Sequence, residues 1–165
     1  MGDGRFKELC VAGQTILLDA DGGRSVSLRG TEVVFKVESS SAEGASCVEF
    51  RAAPGFDTGL HVHESLEETF YVLDGEFEFR VGGETVRAAS GACVFVPPGV
   101  PHAFANRSGA RSKLLLTMSP PTHDRYFDEL AEILGAEGPP DSEAIAALRM
   151  RYDTRQLSSL ATRGT

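Results

Sequence analysis

Within HVHESLEETF, residues 61–70, two imidazoles stand one residue apart and two adjacent carboxylates follow. On an extended chain His61 and His63 point to one face, because side chains alternate along a strand. Glu68 opens the next apolar run and shares its face with Phe70 and Val72. His102 lies downstream, past the Pro97-Pro98-Gly99 turn. The three imidazoles and one carboxylate of His61, His63, Glu68 and His102 suit a divalent first-row metal ion. Neutral imidazole is available for this near neutrality, since its ordinary pKa is about 6.5. Such a set leaves octahedral positions open for water, a substrate oxygen or dioxygen, as metal-assisted chemistry requires.

These side chains need a frame that holds distant residues together. Short β-type runs alternate with turn residues over about 15–118: 15–20, 25–30, 31–39, 46–52, 68–73, 76–81, 92–96 and 113–118. EFEFRV (76–81) sets Phe77, Phe79 and Val81 on one face against Glu76, Glu78 and Arg80 on the other, as a half-buried antiparallel strand does. Asp74-Gly75 predicts a type I′ hairpin between 68–73 and 76–81. Gly82-Gly83 predicts a second tight reversal, and Arg107-Ser108-Gly109 a third. After Pro120-Pro121 the period becomes helical. Tyr126, Phe127, Leu130, Ile133 and Leu134 form one face ending at a Gly135 cap. Asp141 then caps a helix presenting Ile145, Leu148 and Tyr152. The expectation is one domain over 1–165, with a β-barrel core and a helical extension over about 121–156. The last residues are expected to fray.

Composition narrows the function classes. The chain has 165 residues and 41% hydrophobic content, enough for a proper core. A net charge of −8 argues against a nucleic-acid partner. No apolar run approaches a membrane span, and the first residues lack the apolar centre of a secretory signal. Cys10, Cys47 and Cys93 are too scattered for a zinc pattern and read as reduced thiols of a cytoplasmic protein.

Two stretches match a known pattern. Residues 55–75 read G-x5-H-x-H-x4-E-x6-G, and residues 91–106 read G-x5-P-x-G-x2-H-x3-N. They resemble the two motifs of the cupins. PGFDTGLHVHESLEETFYVLDGEFEF, FVPPGVPHAFAN, HDRYFDELAEIL and RYDTRQL further resemble small single-domain bacterial cupins of the quercetin dioxygenase-like group. The resemblance implies an all-β double-stranded β-helix, the jelly-roll barrel, here with short C-terminal helices. It implies His61, His63, Glu68 and His102 as metal ligands, with Glu68 chosen over Glu67 by its distance from Gly75. It also implies one divalent ion (Fe, Ni, Mn, Co or Zn), a homodimer and a small, mostly apolar substrate. Phe70, Val72, Phe77, Phe79, Phe95 and Phe104 are candidates for the pocket wall or the core behind it. Asn106 is expected to bond the turn, and His123, outside both motifs, to be solvated or to cap a helix. The activity implied is that of a metal-dependent dioxygenase on an enolic or aromatic, flavonol- or polyketide-like compound, with Glu68 as proton acceptor. The alternatives are a redox-neutral isomerase, cyclase or lyase, and a non-catalytic small-ligand binder.

Overall fold

The computed structural model describes residues 15–158. In chain order the elements are β1 (Arg24–Leu28), β2 (Thr31–Val37), β3 (Ser46–Ala52), β4 (His61–Val62), β5 (Glu67–Asp74), β6 (Glu76–Val81), β7 (Glu84–Ala89), β8 (Cys93–Val96), β9 (His102–Ala105), β10 (Ser112–Ser119), α1 (Asp124–Gly135), α2 (Ser142–Arg151) and β11 (Arg155–Gln156). The strands form two antiparallel sheets, in the orders β1-β2-β3-β10-β5-β8 and β11-β4-β9-β6-β7. Their inward faces enclose a core in which Phe70, Phe77 and Phe79 are fully buried. Phe104 meets Phe50 edge-on at 5.4 Å and lies 5.1 Å from Phe70, so aromatic packing joins the two sheets.

The strand readings hold with two exceptions. Residues 15–20 are not a strand; the Gly22 amide donates to the Asp19 carbonyl (2.9 Å), so the segment turns there, leaving Leu17 exposed and β1 as the edge of its sheet. Asp74-Gly75 is not a hairpin turn either. β5 pairs with β10 and β8, while β6 pairs with β7 and β9, so at Gly75 the chain crosses from one sheet to the other. Only Gly75 takes positive φ there (73°), whereas a type I′ turn needs it at both residues. A Cβ at Gly75 would collide with Ser112. Gly82-Gly83 does make the expected hairpin, with Val81 opposite Glu84.

Both helices lie where the periodicity placed them. α1 buries Tyr126, Phe127 and Leu130, and its Asp124 carboxylate accepts bonds from the Ser39 amide (3.1 Å) and hydroxyl (2.6 Å) at the end of β2. Gly135 is the last residue of α1, and the cap falls on Ala136. The Asp141 side chain accepts from the Glu143 and Ala144 amides at 3.0 Å each, the expected N-cap. α2 then buries Ile145, Leu148 and, unexpectedly, Arg149. No helix among the described residues is long and apolar enough to cross a membrane. Residues 159–165, most of the expected fraying tail, and Cys10 lie outside the described residues; Cys47 and Cys93 are free thiols.

Candidate metal centre

Strand geometry brings the four ligand candidates together from opposite walls of the barrel. His61 on β4 stands directly across from His102 on β9 in one sheet. His63 follows β4 on the same face. Glu68 reaches in from β5 of the other sheet, and its neighbour Glu67 is exposed, as alternation requires. One ligand atom from each of His61, His63, Glu68 and His102 lies within 4.8 Å of every other, and all four residues are buried.

The outer nitrogens set the rings. Each imidazole Nδ1 faces a carbonyl oxygen: Gly59 for His61 (2.9 Å), Asp153 for His63 (2.7 Å) and Val100 for His102 (2.9 Å). A carbonyl can only accept, so each Nδ1 carries a proton, and Nε2 is the nitrogen left to give its lone pair to a metal. His102 Nε2 lies 2.6 Å from Glu68 Oε2. Both atoms are nevertheless buried without a properly aligned hydrogen bond. Lone pairs on nitrogen and carboxylate oxygen crowd one point, which a cation would resolve. The donor set therefore fits a divalent metal, with its second layer of carbonyls in place.

Electrostatics agree with that reading. Burial, followed by the neighbouring His102, pushes His61 down to about 3, so it is neutral near pH 7. Burial also opposes charge on His63, but Glu68 outweighs it and moves His63 upward. Burial alone would raise Glu68; His102 and His63 outweigh it and hold the carboxyl below the usual carboxylate range.

A second layer comes from the C-terminal segment. Asp153, at positive φ (50°), accepts from the amides of Glu64 (2.9 Å), Ser65 (2.9 Å) and Leu66 (3.1 Å) and from the Ser65 hydroxyl (2.7 Å). It thereby clamps the loop between His63 and Glu68. Thr154 Oγ1 sits 3.3 Å from both His63 Nδ1 and His123 Nε2. His123 is not solvated: it occupies the N-cap position of α1 without a side-chain cap bond, is buried, and packs 5.1 Å from the His63 ring. RYDTRQL, noted only as part of a resemblance, contains Asp153 and Thr154; nothing in its spacing marks them as partners of residues some ninety positions away. Asn106 does bond the turn, donating to the Ala52 (3.0 Å) and Ala110 (2.8 Å) carbonyls.

A cavity of about 600 Å³ opens beside the cluster. His61, His63 and Glu68 line its buried end; the exposed Arg29, Pro54 and Pro139 lie at its rim. Its wall is largely apolar, with Phe50, Phe104 and Leu116 from the sheets and Tyr126, Phe127 and Leu130 from α1. The helices are therefore part of the pocket. Of the aromatic and aliphatic wall candidates, Phe104 faces the cavity, whereas Phe70, Val72, Phe77 and Phe79 are core. Phe95 is neither: it is 55% exposed. Its neighbours Val94 and Val96 pair with Phe70 and Glu68, so strand parity turns Phe95 outward.

Residues 48–118 match the family model described as the cupin domain. The chain is 28% identical over 103 residues to quercetin 2,3-dioxygenase of Bacillus subtilis, covering 62% of this chain and 31% of that one. It is 31% identical over 68 residues to the tetracenomycin polyketide synthase protein TcmJ of Streptomyces glaucescens, covering 41% and 46% respectively. The chain spans about half the length, or less, of these two curated relatives. The structure of KdgF from Halomonas sp. superposes with a TM-score of 0.60 at 18% identity, over 68% of this chain and 98% of that one, a likeness of fold. With the domain match, the two-sheet barrel and the converging His and Glu donors in agreement, residues 48–118 of the chain form a cupin domain.

Proposed function

We propose that the protein is a mononuclear metal-dependent dioxygenase acting on a small enolic or phenolic compound, flavonol- or polyketide-like in shape. The observation that carries this reading is the convergence of three imidazole Nε2 atoms and the Glu68 carboxylate at the buried end of a largely apolar cavity. Similarity to a quercetin 2,3-dioxygenase supports it. When bound, a divalent first-row metal supplies Lewis acidity toward a substrate oxygen and redox chemistry with dioxygen. Incorporation of both oxygen atoms needs no external reductant.

The chain's own residues have four tasks. His61, His63 and His102 hold the metal, with their rings locked by the three carbonyls. Glu68, the one carboxylate of the donor set, takes the hydroxyl proton of the substrate on a carboxylate oxygen. Phe50, Phe104, Leu116 and Phe127 seat the planar, apolar body of the substrate and exclude water. The carbonyls of Gly59, Asp153 and Val100 keep the ring nitrogens in the metal-binding tautomer.

Oxygen uptake with quercetin, measured after loading with Fe2+, Ni2+, Co2+ or Mn2+, tests the reading. Metal-dependent uptake is expected. A second reading, redox-neutral cyclisation or isomerisation with Glu68 as the base, uses the same donors and cavity, and similarity to a polyketide synthase protein supports a polyketide-like substrate for it. Metal-dependent turnover of an enolic substrate without oxygen uptake would establish that reading and overturn the first.

A further inference from the structure

The metal cluster leaves one buried cation in the cavity without a task. Arg149 on α2 is 7% exposed. Its Nε donates to the Tyr126 hydroxyl and its Nη2 to the Thr58 carbonyl, each at 3.2 Å. Its Nη1 is buried with no partner. Among the described residues no carboxylate forms an ion pair with it, whereas Arg51 has Glu49 and Arg107 has Asp57. A guanidinium cannot shed its proton, and a buried charge without a counter-ion is costly. Such a group is retained where something else supplies the anion.

Arg149 and Tyr126 line the same cavity as His61, His63 and Glu68. The Tyr126 hydroxyl accepts from Arg149, and its own proton has no acceptor among the described residues. Nη1 and the tyrosine hydroxyl are thus two unused donors beside one fixed charge. Two donors suit one planar carboxylate. They are too few for a phosphate, and the other cation lining the cavity, Arg29, is exposed and bonded to the Leu134 and Gly138 carbonyls.

We infer that Arg149 and Tyr126 form an anion subsite, and that the preferred substrate is an enolic or phenolic carboxylic acid, with a neutral polyphenol such as quercetin a weaker surrogate. This rests on the cavity being the substrate site, and it narrows the substrate class proposed above. The carboxylate anchors at Arg149 while the hydroxyl is presented to the metal centre and Glu68.

The test is binding, not turnover. Zinc-loaded protein is titrated by calorimetry with 3-hydroxy-2-naphthoate and 6-hydroxy-2-naphthoate, each beside its neutral carboxamide. Zinc is redox-inert, so the result stands whether or not any substrate later consumes oxygen. At least one acid should bind about tenfold or more tightly than its amide, the scale of a charge-assisted hydrogen bond. Arg149→Met should abolish that preference while amide binding and zinc content persist. Tyr126→Phe, which keeps the ring packing, should weaken the acid several-fold and spare the amide. No acid preference in either pair would overturn the inference. So would a preference that survives Arg149→Met, because the carboxylate would then be binding the metal. Equal losses for acid and amide in Tyr126→Phe would also count against it.

Discussion

The barrel segment that matches the family model, residues 48–118, and the segment that follows it, residues 119–158, build the same cavity by different means. The first supplies every metal-ligand candidate from short strands, at spacings of two, five and thirty-four residues along the chain. The second supplies none. It contributes the Asp153 clamp, the Thr154–His123 contacts behind His63, and the Arg149–Tyr126 pair on the wall. The donors set whether a metal binds; the later segment sets how rigidly the donors are held and what shares the cavity with the metal.

The largest effect belongs to the barrel segment. His61→Ala combined with His102→Ala removes two of the four donors, and metal content after anaerobic loading should fall to background. If wild type and double variant carry equally little metal, the cluster is a buried polar network and the contrast between the two segments collapses.

Asp153→Ala tests the later segment at its strongest point. Removing a carboxylate that organises three amides and a hydroxyl frees the loop between two ligands. Metal affinity should drop about 10- to 100-fold, the range for outer partners of a metal site. Stability should fall by about 1–2 kcal/mol, as for a lost helix cap. The Asp153 carboxyl is held below its ordinary value of 3.8; burial opposes this, but the bonds from Ser65 and the loop amides outweigh it. Its contribution is therefore present above that ordinary value and lost as pH falls through the lowered folded value. Melting curves of the metal-free proteins should show the gap between wild type and Asp153→Ala closing in that acid range.

Proton competition should be smaller per step. Glu68 raises His63 in the metal-free site, while burial keeps His61 neutral. Metal must displace the proton from His63 wherever the pH lies below that raised value. Affinity for Zn2+ should fall about tenfold per pH unit there, with about one proton released per metal in buffer-dependent calorimetry. No proton release at pH 6.5 would show that His63 is already neutral and that Glu68 does not control it.

The donors were readable because a strand has a fixed period and both motifs keep their ligands close to a turn. The motif distance to Gly75 separates Glu68 from Glu67, and parity agrees. Parity also places Phe95 outside the pocket, had its register with β5 been known; composition without register made it a wall candidate. The Asp74-Gly75 misreading has a similar root. A dipeptide reports its own preferred φ values, but which sheet the next strand joins is decided by partners such as β7 and β10, some far along the chain. Asp153 and Arg149 were invisible for a stronger reason. Their partners are backbone groups and two hydroxyls, those of Ser65 and Tyr126, brought near only by the docking of α2, and no local spacing encodes those contacts.

Thr154→Val is the smallest perturbation and the sharpest division within the later segment. The hydroxyl stands 3.3 Å from His63 Nδ1, but the Asp153 carbonyl stands nearer, at 2.7 Å, and remains after the substitution. If the tautomer of His63 is fixed by that carbonyl, metal affinity should change by no more than about twofold. The cost should appear instead as about 1–3 kcal/mol of stability, because buried His123 Nε2 loses its partner. Comparing metal affinity and melting temperature in one variant separates the two roles. A loss of affinity as large as that of Asp153→Ala would mean that the hydroxyl, and through it His123, orients the ligand ring. The later segment would then act on the metal through a side-chain relay and not through the backbone clamp.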